Sequence, residues 1–204
     1  MGFRRPDPAA VAETELVARL RAGEEAAFVA LAGRHQATML RLASTFVPST
    51  AVAEEVVQDT WVAVLRGLDG FDGRASFKTW LLAILVNRAK SAGMSEARSL
   101  PVGDAGPAVD RSRFDAAGAW ASPPRHWVEE SEDRLMARGL RETLELALKR
   151  LPSRQRAIVI LRDVDGLSGE EVCGVLRISA GNQRVLLHRA RSHLRAAVEE
   201  FVER

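Results

Sequence analysis

Apolar residues recur at helical spacing along most of this chain, and the C-terminal stretch carries the sharpest example. From Ser179 onward, Leu187, Ala190, Leu194, Ala197, Val198 and Phe201 fall on one stripe, while Gly181, Arg184, Val185 and His188 lie nearly opposite and Arg189 flanks them. Upstream, Leu140, Leu144, Leu148 and Leu151 form an i, i+4, i+8 run that Pro152 closes. A second helix is expected from Gln155 to about Asp163, carrying Ile158, Val159, Ile160 and Leu161 and broken by Gly166. Ser168-Gly169-Glu170-Glu171 has the spacing of a capping box, and the short helix it opens buries Val172 and Leu176. Ile178-Ser179-Ala180-Gly181 then turns the chain into the last helix. A short helix, a tight turn and a second helix with one exposed polar face is the helix-turn-helix pattern.

The N-terminal half follows the same period. Val57, Trp61, Val64 and Leu65 supply an inner stripe and leave Glu54, Glu55, Gln58 and Asp59 outward. A glycine-punctuated loop, Gly67 to Arg74, leads to Ser76, which can cap a helix starting near Phe77. That helix contains the apolar run Trp80–Val86, far shorter than the roughly 20 residues a membrane span needs, so it is expected in a core. His35 follows the Phe28–Leu31 stripe and reads as a surface or packing residue. The whole pattern predicts an all-α fold of two helical domains, residues 13–94 and 132–202. Residues 95–131 between them hold Pro101, Pro107, Pro123 and Pro124 and no sustained helical period, which reads as a long linker punctuated by Phe114, Trp120 and Trp127.

Charge changes the picture because it is uneven. The 29 basic and 27 acidic residues leave a net +2. Yet between Arg177 and Arg195 stand Arg177, Arg184, Arg189, Arg191, Arg195, His188 and His193, with no acid. Arg74, Lys78, Arg88, Lys90 and Arg98 face only Glu96 in their stretch, and the opposite sign collects at Glu129, Glu130, Glu132 and Asp133. Basic patches on a nearly neutral chain fit a protein that binds DNA mainly as part of a larger complex. The one cysteine, Cys173, excludes an internal disulfide and a cysteine-rich metal site, and reads as a half-buried structural thiol. No phosphate-binding loop occurs, and His35, His126, His188 and His193 are dispersed, so no catalytic centre, metal or cofactor is expected. Asp69 and Asp72 lack the ligand series and final glutamate of a calcium loop. Met1-Gly2-Phe3-Arg4-Arg5-Pro6 has no apolar stretch after its basic pair, so a cytoplasmic protein is expected.

Two further stretches carry a resemblance. Leu151-Pro152-Ser153-Arg154-Gln155-Arg156, Leu161-Arg162-Asp163-Val164-Asp165-Gly166-Leu167-Ser168 and Gly181-Asn182-Gln183-Arg184-Val185-Leu186-Leu187-His188-Arg189-Ala190-Arg191 together resemble region 4 of bacterial extracytoplasmic-function (ECF) sigma factors. Ala53-Glu54-Glu55-Val56-Val57-Gln58-Asp59-Thr60-Trp61 is similar to the polymerase-binding helix of the same family's region 2. The resemblance implies a factor that directs RNA polymerase core to promoters. It implies that Glu54, Glu55, Gln58 and Asp59 dock on the clamp helices of the largest polymerase subunit, with the flap as the other contact on the enzyme. Asn87, Arg88 and Lys90, with Phe71 and Arg74 of the preceding loop, would grip the melted −10 strand, Asn87 by base-edge hydrogen bonds and the cations by phosphate neutralisation. Gly70 and Gly73 would let that loop fold around a flipped base. Gly181, Asn182, Arg184, Val185, His188, Arg189 and Arg191 would enter the −35 major groove, Arg184 on guanine. Val185 departs from the small or polar residue often found there and would instead pack on a thymine methyl, so the family's promoter consensus does not carry over. An anti-sigma partner is common in the family.

Read without the resemblance, the basic helix also fits a stand-alone helix-turn-helix regulator with an N-terminal sensor or dimerisation domain. That alternative predicts tight binding to a palindromic site without polymerase. An enzyme is the more distant class.

Overall fold

The computed structural model describes residues 8–96 and 133–203. The linker aromatics Phe114, Trp120 and Trp127 lie outside them, as do Arg98, Glu129, Glu130 and Glu132. Every regular element among the described residues is helical. These residues divide into two compact units, one of residues 8–96 with 170–177, the other of 133–169 with 178–203.

The first unit holds α1 (Pro8–Arg21), α2 (Glu25–Ala43), α3 (Thr50–Gly67) and α4 (Phe77–Glu96). Helix α2 turns Ala27, Leu31, His35, Met39 and Leu42 inward at three- and four-residue steps. They meet Val57 and Val64 of α3 and Leu81, Leu82, Leu85 and Val86 of α4 in the core. Burying each leucine-sized side chain stabilises the unit by about 1.5–3 kcal/mol before entropy is counted. Phe28 meets Trp61 edge-on at 5.4 Å between ring centroids. Both α3 and α4 start at serines: Ser49 Oγ accepts from the Val52 amide at 3.3 Å, and Ser76 Oγ accepts from the Thr79 amide at 3.1 Å, the cap its position predicts.

The inner face of α3 differs from expectation at one residue. It runs through Ala53, Val56, Val57, Thr60, Trp61 and Val64, and Leu65 is 48% exposed. Val64 holds the centre of the stripe, and the next residue lies about 100° round the helix. Thr60 belongs to the buried line because its hydroxyl donates to the Val56 carbonyl at 2.7 Å. His35 is buried, with Nε2 at 2.9 Å from Glu13 Oε1, and links α2 to α1. Glycine is required at position 93, where a Cβ would stand 2.0 Å from the Phe46 carbonyl oxygen.

The second unit is built on α5 (Asp133–Arg150), α6 (Ser153–Val159) and α8 (Ala180–Val202). Helix α7 (Gly169–Leu176) begins directly after Ser168 and groups with the first unit. The helix expected over Gln155–Asp163 begins two residues earlier, and its last stretch, Ile160–Val164, is a π turn. There the Asp165 amide donates to the Ile160 carbonyl at 2.8 Å, and the Leu167 amide to Leu161 at 2.9 Å. Ile158, Val159, Ile160 and Leu161 are all buried. Gly166 follows at φ +71°, a conformation glycine adopts without strain. Gly139 of α5 admits the Phe201 ring, 3.0 Å from where a Cβ would sit.

The inner stripe of α8 holds Leu187, Ala190 and Val198 fully buried, while Leu194, Ala197 and Phe201 are half-buried. Polar residues complete the buried line: Gln183, Ser192 and Arg195. No cluster of metal-ligating side chains occurs among the described residues, and no described helix is long and apolar enough to cross a membrane.

Candidate nucleic-acid interface

The turn into α8 positions its outer face. Arg177 takes φ +54°, a left-handed conformation that bends the chain sharply after α7. Ser179 then caps α8, its Oγ accepting from the Asn182 amide at 3.2 Å. Gly181, Asn182, Arg184 and Val185 are exposed, Val185 at 48%, and His188 and Arg189 are half-buried beside them. No acidic side chain falls between Ser179 and Arg195, and the helix N-terminus adds its partial positive charge to this end. This end of the helix offers donors, cations and one apolar side chain. Arg191 stands apart, for Asp163 engages it: Nη2 lies 2.6 Å from Oδ1 and Nε 3.1 Å from Oδ2.

In the first unit the α3 acids and the α4 cation share one surface. Glu54, Glu55, Gln58 and Asp59 are exposed on α3. Asp59 Oδ2 lies 3.7 Å from Arg88 Nη1 of α4. The two line an open groove of about 520 Å³ with Val56, Ile84, Asn87, Ser91 and Ala92. Asn87 is half-buried in it and Arg88 is at its exposed rim. Lys90 points elsewhere, with Nζ 5.7 Å from the centre of the Phe46 ring.

The loop residues have internal partners. Phe71 is half-buried against Trp80 (5.0 Å) and edge-on to Phe77 (5.9 Å). Arg21 lies 5.8 Å over its ring and donates to the Leu68 and Phe71 carbonyls, so α1 pins the loop. Arg74 is exposed and turned back on Asp72, with Nε 2.5 Å from Oδ2 and its amide 3.1 Å from Oδ1. Those hydrogen bonds hold the Asp72 carboxyl below the usual aspartate range. Of Gly70 and Gly73, Gly73 takes a positive φ of 74°.

Three residues escape a reading of spacing alone. Val62 and Leu65, 45% and 48% exposed, give the acidic face of α3 an apolar component. Arg21 lies 47 residues from the carbonyl it binds. The signal for the first two was available: an acidic helix face interrupted by two aliphatics is wider than its inner stripe needs.

The described residues define a class, an all-helical protein in which a short helix and a tight turn lead into a long helix with an acid-free outer face, and in which a helical module presents an acidic helix beside a basic-rimmed groove. Residues 31–99 match the Sigma-70 region 2 family and residues 141–194 the Sigma-70 region 4 family. The ECF RNA polymerase sigma-E factors of Salmonella typhimurium and Escherichia coli are 32% identical over 189 residues, covering 93% of this chain and 95% of theirs. The RNA polymerase sigma-H factor of Pseudomonas aeruginosa is 28% identical with the same coverage. Among solved structures, CnrH in complex with the cytosolic domain of CnrY matches with a TM-score of 0.57 at 25% identity, over 93% of this chain and 98% of that one. The sigma factor RpoE bound to the anti-sigma factor NepR from Bartonella quintana shares the fold, with a TM-score of 0.54 at 22% identity over 83% and 96%. The chain belongs to the ECF sigma factors of the sigma-70 family and is an RNA polymerase sigma factor.

Proposed function

We propose that the two basic surfaces divide promoter recognition between them. In region 4, Gly181, Asn182, Arg184, Val185, His188 and Arg189 read the −35 duplex. Arg184, exposed and without an acid on its helix face, pairs with a guanine edge, worth about 1–3 kcal/mol of discrimination. Val185 packs on a thymine methyl. In region 2, the groove lined by Asn87 and Arg88 takes an unpaired base of the −10 strand, Asn87 meeting its edge and Arg88 its phosphate. Phe71 and Arg74 shape the neighbouring loop, and Lys90 adds positive charge beyond the groove.

Glu54, Glu55, Gln58 and Asp59, with Val62 and Leu65 among them, form the surface that docks on the polymerase clamp helices. Acids steer the encounter with a basic partner, and the two aliphatics supply buried area once docked. Each DNA contact is weak alone. Held at fixed spacing on polymerase, the second becomes intramolecular, and the pair gains selectivity through effective concentration. The protein performs no chemistry of its own and works in the cytoplasm. The solved relatives bound to CnrY and NepR support an anti-sigma partner for this chain as well.

The observation that carries this reading is the acid-free outer face of α8 with Arg184 exposed at its centre. Arg184→Ala tests it. Transcription from a cognate promoter should fall and −35 selectivity relax, while polymerase still co-purifies with the variant. Equal loss of polymerase binding would contradict the role.

A further inference from the structure

Arg184, His188, Arg191 and Arg195 follow one another at steps of four, three and four residues, so they lie along one line of α8. Exposure falls steadily along that line. Arg184 is exposed and His188 half-buried; the Arg191 side chain is 18% exposed and that of Arg195 4%. The face that starts as a reading surface therefore runs under the rest of its own unit. Where it goes under, Asp163 takes the Arg191 guanidinium side-on, through Nη2 at 2.6 Å and Nε at 3.1 Å. Two parallel bonds fix orientation as well as distance. Asp163 sits in the π turn Ile160–Val164, and its neighbour Arg162 closes that turn by donating to the Leu167 carbonyl at 2.5 Å. A phosphate brought to Arg191 would approach the Asp163 carboxylate on the same nitrogen, and like charges there repel.

We infer that Arg191 is a positioning residue. Its pairing with Asp163 sets the angle at which α8 presents Gly181–Arg189 to the duplex, and the groove-reading part of the helix ends at Arg189. This rests on the −35 reading of α8 given above.

The test uses holoenzyme assembled from the full chain and core polymerase. Wild-type holoenzyme first selects −35 sequences from a randomised promoter pool, and the recovered duplex serves as the probe. Affinity for it across salt concentrations, and the −35 sequences that each variant holoenzyme itself selects from the pool, are then measured well below the melting temperature of each variant. The variants are Asp163→Asn, Arg191→Lys, Arg191→Ala, the combined variant of the first two and Arg184→Ala. Asp163→Asn and Arg191→Lys should each weaken binding about three- to tenfold, and the combined variant should be no weaker than either alone. Both should flatten the selected −35 preference and keep the wild-type salt slope. A phosphate-contacting Arg191 predicts the reverse. Asp163→Asn would release the guanidinium and tighten binding, Arg191→Lys would retain it, and Arg191→Ala would lower the slope by about 0.9; that pattern overturns the inference. Loss of preference in Arg184→Ala with preference retained in Asp163→Asn overturns the positioning role alone. An unchanged preference in Arg184→Ala means that the −35 reading itself has failed.

Discussion

Replacing Gly93 with alanine sets two effects of opposite sign against each other. Alanine in a helix interior is favoured over glycine by about 1 kcal/mol, so local propensity predicts a more stable protein. Gly93, however, faces the backbone of the turn between α2 and α3, and the new Cβ would lie 2.0 Å from the Phe46 carbonyl oxygen, where ordinary contact begins at 3.4 Å. Helix α4 and that turn must part by over an ångström. The obstructing atom belongs to the backbone, not to the end of a flexible side chain, and the turn is fixed by the buried Thr45 and Val47 on either side. Overpacking costs about 1–3 kcal/mol and sometimes more, and this site belongs at the upper end. The net loss is about 2 kcal/mol, which in a domain of this size lowers Tm by about 8–16 °C. Gly33 provides the control: it lies in the interior of α2, and a Cβ there meets none of the described residues within 4 Å. Gly33→Ala should raise Tm by about 4–8 °C. Thermal unfolding of both variants, followed by far-ultraviolet circular dichroism, decides the matter. A Gly93→Ala protein that melts at or above wild type would refute the close approach of α4 to Phe46.

Three other perturbations probe separate parts of the account. Burial works to raise the Glu13 pKa, but the hydrogen bond and charge of His35 outweigh it and the net shift is downward. Glu13 thus contributes stability above about pH 4.3 that is lost as pH falls through its lower folded value. Urea midpoints of wild type and Glu13→Gln should converge below that pH, and a gap that stays constant from pH 7 to 3.5 would exclude the linkage. On the proposed docking face, Asp59→Arg and Leu65→Ser should each reduce co-purification with polymerase severalfold while leaving Tm within about 2 °C, since both side chains are substantially exposed; unchanged co-purification counts against the surface. Gln155 is 1% exposed, and neither polar atom of its amide has a hydrogen-bond partner among the described residues. Gln155→Met, which keeps the shape and removes the unmet groups, should raise stability by about 1–2 kcal/mol in chemical denaturation. A loss of stability would mean that the amide is satisfied in solution.

Helix type and the inner faces were legible wherever one apolar stripe met one neighbour. Leu187, Ala190 and Val198 of α8, and Val57, Trp61 and Val64 of α3, are buried as their spacing requires. Ser76 caps the helix it precedes, as its position predicts, because a hydroxyl there satisfies an amide that no carbonyl can reach; Ser179, read only as part of a turn, does the same for α8. What spacing missed depends on partners distant in the chain. Leu65 sits at the same i+4 step from Trp61 that marks an inner position, yet among the described residues no neighbouring helix covers it, whereas Thr60 is covered and hides its hydroxyl on its own backbone. Arg191 and Arg195 read as part of a cationic face, but each is engaged by an acid, Asp163 from 28 residues away and Glu199 one turn on. A charge count cannot tell an arginine held in an ion pair from one offered to DNA. The π turn at Ile160–Val164 was invisible because Ile160 and Leu161 simply continue the apolar run of α6, and nothing in their spacing marks the residue by which the turn is widened.

The division of labour between two weak DNA readers is tested most directly by transcription with purified core polymerase on a library of genomic fragments, with start sites mapped in the presence and absence of this chain. The account predicts starts that depend on the chain and share a −35 and a −10 sequence at one fixed spacing. Selective duplex binding by the isolated chain, with no chain-dependent starts from core polymerase, would contradict it.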